Sequence, residues 1–217
     1  MPELRKDPVV GRWVIVSTGR AKRPSDFRVA SEERKPGPCA FCEGHEAETP
    51  PEVYAVRRED TGPDTPGWDV RVVPNKYPAL GIEGELNREG VGMCDMMNGV
   101  GAHEVIVETP EHGEDLADLP VDHIAKVMWT YRQRIMDLSG DDRFKYVLIF
   151  KNQGQSAGAS LQHAHSQLIA TPITPKRVKE ELVGAQEYYN YKRRCIFCDY
   201  IKQETRVFGE RLVAETA

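Results

Sequence analysis

The sequence predicts an α+β fold built on a mainly antiparallel sheet. Three observations carry that expectation. Short runs of β-branched and aromatic residues recur along the chain, bounded by turn residues. One long segment places apolar residues at helical spacing. The order of elements is several strands, one long helix, then two strands joined by a loop of small residues, which reads as α+β with a mainly antiparallel sheet.

Taken in order, residues 1–38 read as strand and loop, with WVIVST as the strand and GRAKRPSDF as a basic loop. VYAVRR (53–58) and DVRVVP (69–74) read as strands, and NKYPAL then breaks the pattern at Pro78. Residues 84–101, rich in Gly, Asn and Met, read as a loop. HEVIVETP, from His103, alternates and reads as a strand. PVDHIAKVMWTYRQRIMDL reads as a helix with Ile124, Val127, Met128, Tyr131 and Ile135 on its apolar face and Asp122 as N-cap. FKYVLIFKN, from Phe144, reads as a buried strand, and HAHSQLIATP as the strand after the loop. KRVKEELVGAQEYYNYKRR reads as a helix ending before CIFC. No internal repeat with a period of 20–50 residues is present, although CAFC and CIFC each open what reads as a similar unit.

Composition excludes some functions. The 217 residues carry a net charge of −5, which argues against broad binding to a nucleic acid polymer while leaving room for one nucleotide in a local basic pocket. No apolar run approaches the ~20 residues of a membrane helix. The opening MPELRKDPVVGRW lacks the apolar stretch of a signal peptide, so a cytoplasmic location is expected.

Four of the five cysteines form two CxxC pairs, Cys39/Cys42 and Cys195/Cys198. In a reducing compartment such pairs point to metal ligation or redox chemistry. CAFC follows the turn sequence KPGP, which favours a zinc knuckle over a thioredoxin-like site at a helix start.

The most informative stretch is KNQGQSAGASLQHAHSQLIA, residues 151–170. Side chains alternate along a strand, so His163, His165 and Gln167 are expected on one face, about 6–7 Å apart. The preceding glycines let backbone N–H groups approach an anion, and Ser156 and Ser160 add hydroxyl donors. A neutral imidazole beside a cradled phosphate can attack phosphorus and form a phosphoramidate, splitting one transfer into two steps. Gln167 and the loop amides supply donors for the charge that develops on the oxygens. The attacking nitrogen stays free if the other nitrogen donates to a carbonyl.

HAHSQ, the loop NQGQSAGAS, GRWVIVSTGRAKRP, CAFC, VPNKYPAL and HEVIVETPEH together resemble the galactose-1-phosphate uridylyltransferase family, a branch of the histidine-triad superfamily, over nearly the whole chain. The resemblance implies a histidine-triad-like antiparallel sheet with flanking helices over 1–178. It also implies a linker helix and the start of a second, similar domain over 179–217. Because VAETA stops partway through what reads as another strand, the chain is expected to be truncated or to lack that second domain.

The resemblance further implies residue roles. His165 is the nucleophile and Gln167 holds the transferred phosphoryl group. Asn152, Gly158 and Ser160 cradle phosphates, Asn75 and Lys76 contact the nucleotide, and Arg20 and Arg23 reach the nucleotide sugar across a homodimer interface. A structural zinc is held by Cys39, Cys42, His112 and His163, with His112 preferred to His103. His45 and His123 are expected on a solvated loop and on the helix surface. Cys195 and Cys198 match the start of a second zinc site.

The activity implied is ping-pong transfer of UMP from UDP-glucose to galactose 1-phosphate. The family motif usually has proline before its second histidine, and proline or glycine after it. Here Ala164 and Ser166 stand in those places. A serine before the glutamine also occurs in the ADP-glucose phosphorylase branch, which makes adenylyl transfer from ADP-glucose to phosphate the alternative. A third reading is a zinc-stabilised nucleotide-binding module without turnover, against which an intact His165 argues.

Overall fold

Among the described residues, hydrophobic alternation and turn chemistry produce two antiparallel sheets and three α-helices in the computed structural model. The structure describes residues 2–9, 11–17, 39–58, 60–154, 157, 159 and 161–214. Arg20, Lys22 and Arg23 of the basic loop lie outside the described residues, as do Ser156, Gly158 and Ser160 of the small-residue loop. The chain divides into two compact units, Met1–Ile173 and Thr174–Ala217.

In the first unit, β1 (Glu3–Lys6) and β2 (Trp13–Val16) form a hairpin at one side of a four-stranded sheet. The larger sheet begins with β3 (Tyr54–Arg57) and β4 (Trp68–Pro74). β5 (Glu89–Val91) and β6 (Cys94–Asn98) then return to the small sheet, whose order is β2-β1-β6-β5. β7 (Ala102–Val107), helix α1 (Val121–Leu138), β8 (Tyr146–Phe150) and β9 (His165–Thr171) complete the unit. The large sheet has the order β3-β4-β7-β9-β8, so β4, β7 and β9 are central.

Period-two alternation gives the large sheet two different faces. Val70, Val72, Ile106, Leu168 and Ala170 pack with Val127 and Leu138 of α1. On the opposite face Trp68, Val73, Val105 and Val107 pack against Phe41 of the CAFC turn. The register pairs Val107 with His165 and Val105 with Gln167. His165 and Gln167 therefore stand on the CAFC face, away from α1. Ile169, on the same face, joins Leu4, Leu80 and Met97 in the core of the small sheet, which covers that end of the large one.

Four expectations need correction. Residues 84–101 are not all loop: β5 and β6 form there, joined through Gly92 (φ +61°) and Met93. CDMMN lacks β-branched alternation, and β6 is a strand because β1 offers it backbone partners, with Leu4 opposite Met97. Asp122 is not the N-cap of α1; Pro120 holds that position, and Asp122 lies in the first turn, where its charge still favours the helix dipole.

The buried stripe of α1 also differs from its hydrophobic pattern. Met128 and Ile135 are exposed, whereas Thr130 and Arg134 are buried. Arg134 is tolerated there because its guanidinium grips Glu104 of β7 at 2.9 and 2.7 Å. Finally, β8 is an edge strand and only half-buried, with Leu148 exposed. Val147 and Ile149 alone pack on the core.

β7 is entered through Gly101. A Cβ there would sit 2.4 Å from the Ala170 carbonyl oxygen and 2.5 Å from Leu80 Cδ1, so only glycine lets this strand pass.

In the second unit, α2 (Lys176–Lys192) ends at Arg193, which takes the left-handed conformation (φ +56°) common after a helix C-terminus. α3 (Ile196–Gln203) follows, with Cys195 as its N-cap. Tyr188 donates to Asp199 at 2.8 Å and ties the two helices. Among the described residues no helix is long and apolar enough to cross a membrane.

Candidate active site and metal centre

The CAFC turn is closed by the Cys42 N–H donating to the Cys39 carbonyl at 2.9 Å, and the Phe41 N–H points at Cys39 Sγ at 3.5 Å. This turn sits on the face of the large sheet that carries His165. Just before β9 the chain delivers His163, and just after β7 it delivers His112. Ligand atoms of Cys39, Cys42, His112 and His163 all lie within 4.8 Å of one another. Cys42 Sγ is 3.4 Å from His112 Nδ1 and 3.6 Å from His163 Nδ1, and Cys39 Sγ is 3.9 Å from His163 Nδ1. A tetrahedral ion with ordinary sulfur and nitrogen bond lengths requires S···N edges of about 3.6 Å.

The donor set fits a metal for a second reason. His163 Nε2 lies 2.7 Å from the Thr109 carbonyl, so it carries the proton and Nδ1 presents its lone pair to the thiols. Burial, with the neighbouring Cys39 acting in the same direction, holds the Cys42 thiol above its ordinary value, so a cation would have to draw off its proton. His103, the rival ligand, is elsewhere: its ring contacts Ala79, Asn75 and Gln167. His45 bonds Glu48 at 2.8 Å on its loop. His123 is half-buried rather than a free surface residue, with Nε2 2.7 Å from the Glu108 carbonyl.

His165 lies at the first position of β9, one residue after Ala164. Its Nδ1 donates to the His163 carbonyl at 2.7 Å, which leaves Nε2 as the unprotonated nitrogen. The ring packs edge-on against Phe41, with centroids 5.4 Å apart. Burial pushes its pKa below the ordinary histidine value, and the nearby Lys151 charge pushes the same way, so the imidazole is neutral at neutral pH.

A cleft of about 370 Å³ opens beside these groups, lined by His112, His163, His165, Lys151 and Asn152 among others. It brings the expected nucleophile, one expected phosphate-loop residue and two expected metal ligands to one wall. Gln167 follows two residues on. Asn75 lies near it through His103, and Lys76 is exposed beside Asn75. Cys195 and Cys198 are exposed in the second unit, and among the described residues they are not gathered with further metal-ligating groups.

Sequence reading missed the polar cluster behind β9. Glu108 is fully buried. One of its carboxylate oxygens accepts from Tyr131 at 3.1 Å and from Ser166, and the other pairs with Lys151 of the cleft wall. Tyr131 and Ser166 hydroxyls are 2.6 Å apart. The available signal was a glutamate at a core-facing position of HEVIVE, since such a carboxylate needs a cation and donors.

Removing that carboxylate strands a half-buried ammonium and two hydroxyls. Glu108→Ala is expected to cost about 3–5 kcal/mol in denaturant unfolding. A loss below about 1 kcal/mol would mean that the cluster contributes little.

Comparisons with known proteins concern the chain as a whole. Residues 1–175 match the family model described as galactose-1-phosphate uridyl transferase, N-terminal domain. The chain is 40% identical over 203 residues to an ADP-glucose phosphorylase of Arabidopsis thaliana, covering 91% of this chain and 56% of that protein. It is 33% identical over 217 residues to a galactose-1-phosphate uridylyltransferase of Thermotoga maritima, covering 100% and 60%. A crystal structure of an ADP-glucose phosphorylase from Arabidopsis thaliana with bound ADP-glucose superposes with a TM-score of 0.67 at 37% identity, over 94% of this chain and 59% of that one. A uridylyltransferase structure gives 0.71 at 29%, over 93% and 56%. The chain thus spans less than two thirds of the length of these relatives. With a matching family model over most of its length, the chain belongs to the galactose-1-phosphate uridyl transferase family.

Proposed function

We propose that this chain transfers a nucleoside monophosphate from a nucleotide sugar to a phosphorylated acceptor or phosphate through a covalent nucleotidyl-His165. The observation that carries the reading is the 2.7 Å bond from His165 Nδ1 to the His163 carbonyl. It fixes the tautomer and leaves Nε2 as the nucleophile at the cleft. In the first step Nε2 attacks the α-phosphorus. An N–P bond forms, the bridging P–O bond breaks, and the sugar 1-phosphate leaves with the electron pair. In the second step an acceptor phosphate oxygen attacks the same phosphorus and the N–P bond breaks, restoring the imidazole. Gln167 donates to a non-bridging oxygen of the transferred group, and Asn152 with the small-residue loop cradles the phosphates.

Cys39, Cys42, His112 and His163 would hold zinc, a closed site whose contribution is structural. It anchors the residue whose carbonyl orients His165. A reducing, cytoplasmic setting is in keeping with the five free thiols.

Two donors compete. The 33% identity to the Thermotoga maritima galactose-1-phosphate uridylyltransferase supports UDP-glucose, with galactose 1-phosphate as acceptor. The 40% identity to the ADP-glucose phosphorylase, together with Ser166 before Gln167, supports ADP-glucose with phosphate as acceptor, and we favour this second donor. Intact mass after brief exposure to each sugar separates them. An adenylyl adduct discharged by phosphate is the expected result. A uridylyl adduct discharged by galactose 1-phosphate would reverse the choice of donor. No adduct with either would refute the reading of His165.

A further inference from the structure

The carboxamide of Gln167 can help a transferred phosphoryl group only if its NH2 end faces the phosphorus. The C=O end would repel the anionic oxygens. An amide on a β-strand has no intrinsic preference between these two orientations, so something else must choose. His103 sits on β7 beside this side chain. The register places it opposite Ile169 and diagonally next to Gln167, on the same face of the sheet.

The hydrogen bonds of His103 have a fixed direction. The backbone N–H of Ala79 points at His103 Nδ1 at 3.0 Å. A backbone N–H can only donate, so Nδ1 is the acceptor nitrogen and Nε2 bears the proton. That Nε2–H lies 3.0 Å from Gln167 Oε1 and donates to it. Asn75 Nδ2 is 3.3 Å from the same nitrogen. The Tyr77 N–H donates to Asn75 Oδ1 at 2.9 Å, so the end of Asn75 that faces His103 is its NH2, which cannot accept the Nε2 proton and makes no hydrogen bond with it. The ring is buried, and the Asn75 N–H donates to the His103 carbonyl at 2.8 Å, which holds the backbone in place as well.

We propose that His103 is a positioning residue that acts through Gln167. It holds the Oε1 end and so presents the NH2 end to the phosphoryl group that His165 takes up. The chain Ala79 N–H to His103 to Gln167 is a relay of orientation and moves no proton. This inference rests on the nucleotidyl-His165 reading.

The test is a double-mutant cycle on the full chain, with the rate of adduct formation from ADP-glucose or UDP-glucose read by quenched intact mass. His103→Leu is expected to slow adduct formation roughly 10–100-fold while metal content and nucleotide-sugar affinity change by less than about threefold. In the Gln167→Ala background, His103→Leu is expected to cost nothing further, because its action runs through the missing amide. His103→Gln, whose own amide N–H reaches toward Oε1, is expected to recover most of the rate and guards against a folding defect in the leucine variant.

Losses that multiply in the double variant, or a leucine variant as fast as wild type, would overturn the inference while leaving the adduct chemistry intact. Ring 15N spectra showing the proton of His103 on Nδ1 would overturn it by themselves. Wild-type protein that forms no adduct would overturn the nucleotidyl reading and this inference together.

Discussion

Replacing His165 with alanine is expected to abolish the proposed covalent adduct and to lower turnover by roughly 10⁴-fold or more, because among the described residues of the cleft wall no other imidazole presents a free nitrogen to the cleft. Among the described residues of the cleft wall, His163 and His112 are the other imidazoles. His163 Nε2 is occupied by the Thr109 carbonyl, and the Nδ1 atoms of both rings face the cysteines. The variant should keep its metal and its nucleotide affinity, since His165 belongs to neither the thiol cluster nor the Glu108 cluster. Intact mass and a nucleotide titration on the same sample check both parts. An adduct that survives in His165→Ala would place the nucleophile elsewhere.

Loss of the metal centre is the second large effect. Cys39→Ser is expected to reduce bound zinc from about one per chain to near zero, measured by elemental analysis. The four clustered side chains come from the CAFC turn, the segment after β7 and the segment before β9, so a bound ion would join parts of the chain 124 residues apart. The binding free energy of such an ion would be folding free energy for those segments. A loss of about 4 kcal/mol or more would lower Tm by roughly 10 °C in a domain of this size. Adduct formation should slow as well, because the carbonyl that orients His165 belongs to His163, one of the four clustered side chains. Purified protein that holds no metal, with a melting temperature indifferent to chelators, would remove the site from the account.

Much of this was legible in the residues alone. HAHSQ at strand spacing, after a loop of small residues, marked the proposed nucleophile and its companion amide, which the structure places on one face of β9. CAFC after a turn sequence marked two of the four clustered Cys and His side chains. The central strands were legible because DVRVVP and HEVIVETP carry dense β-branched patterns, and so was the long helix. Local chemistry of this kind is written in adjacent residues.

Other features were decided by tertiary structure. β6 is a strand because β1 offers it hydrogen-bond partners, which no pattern in CDMMN announces. Arg134 is buried because Glu104, 30 positions away, meets it across the α1–β7 interface. Glu108 and Lys151, 43 positions apart, share one buried cluster. His103, a candidate metal ligand by its place in HEVIVETPEH, instead turns its ring to Ala79 and Gln167. The reason is common to all four. A strand's partners, a buried charge's counter-ion and a histidine's tautomer are properties of groups brought together by folding from distant parts of the chain. Residue spacing along the sequence does not encode those meetings.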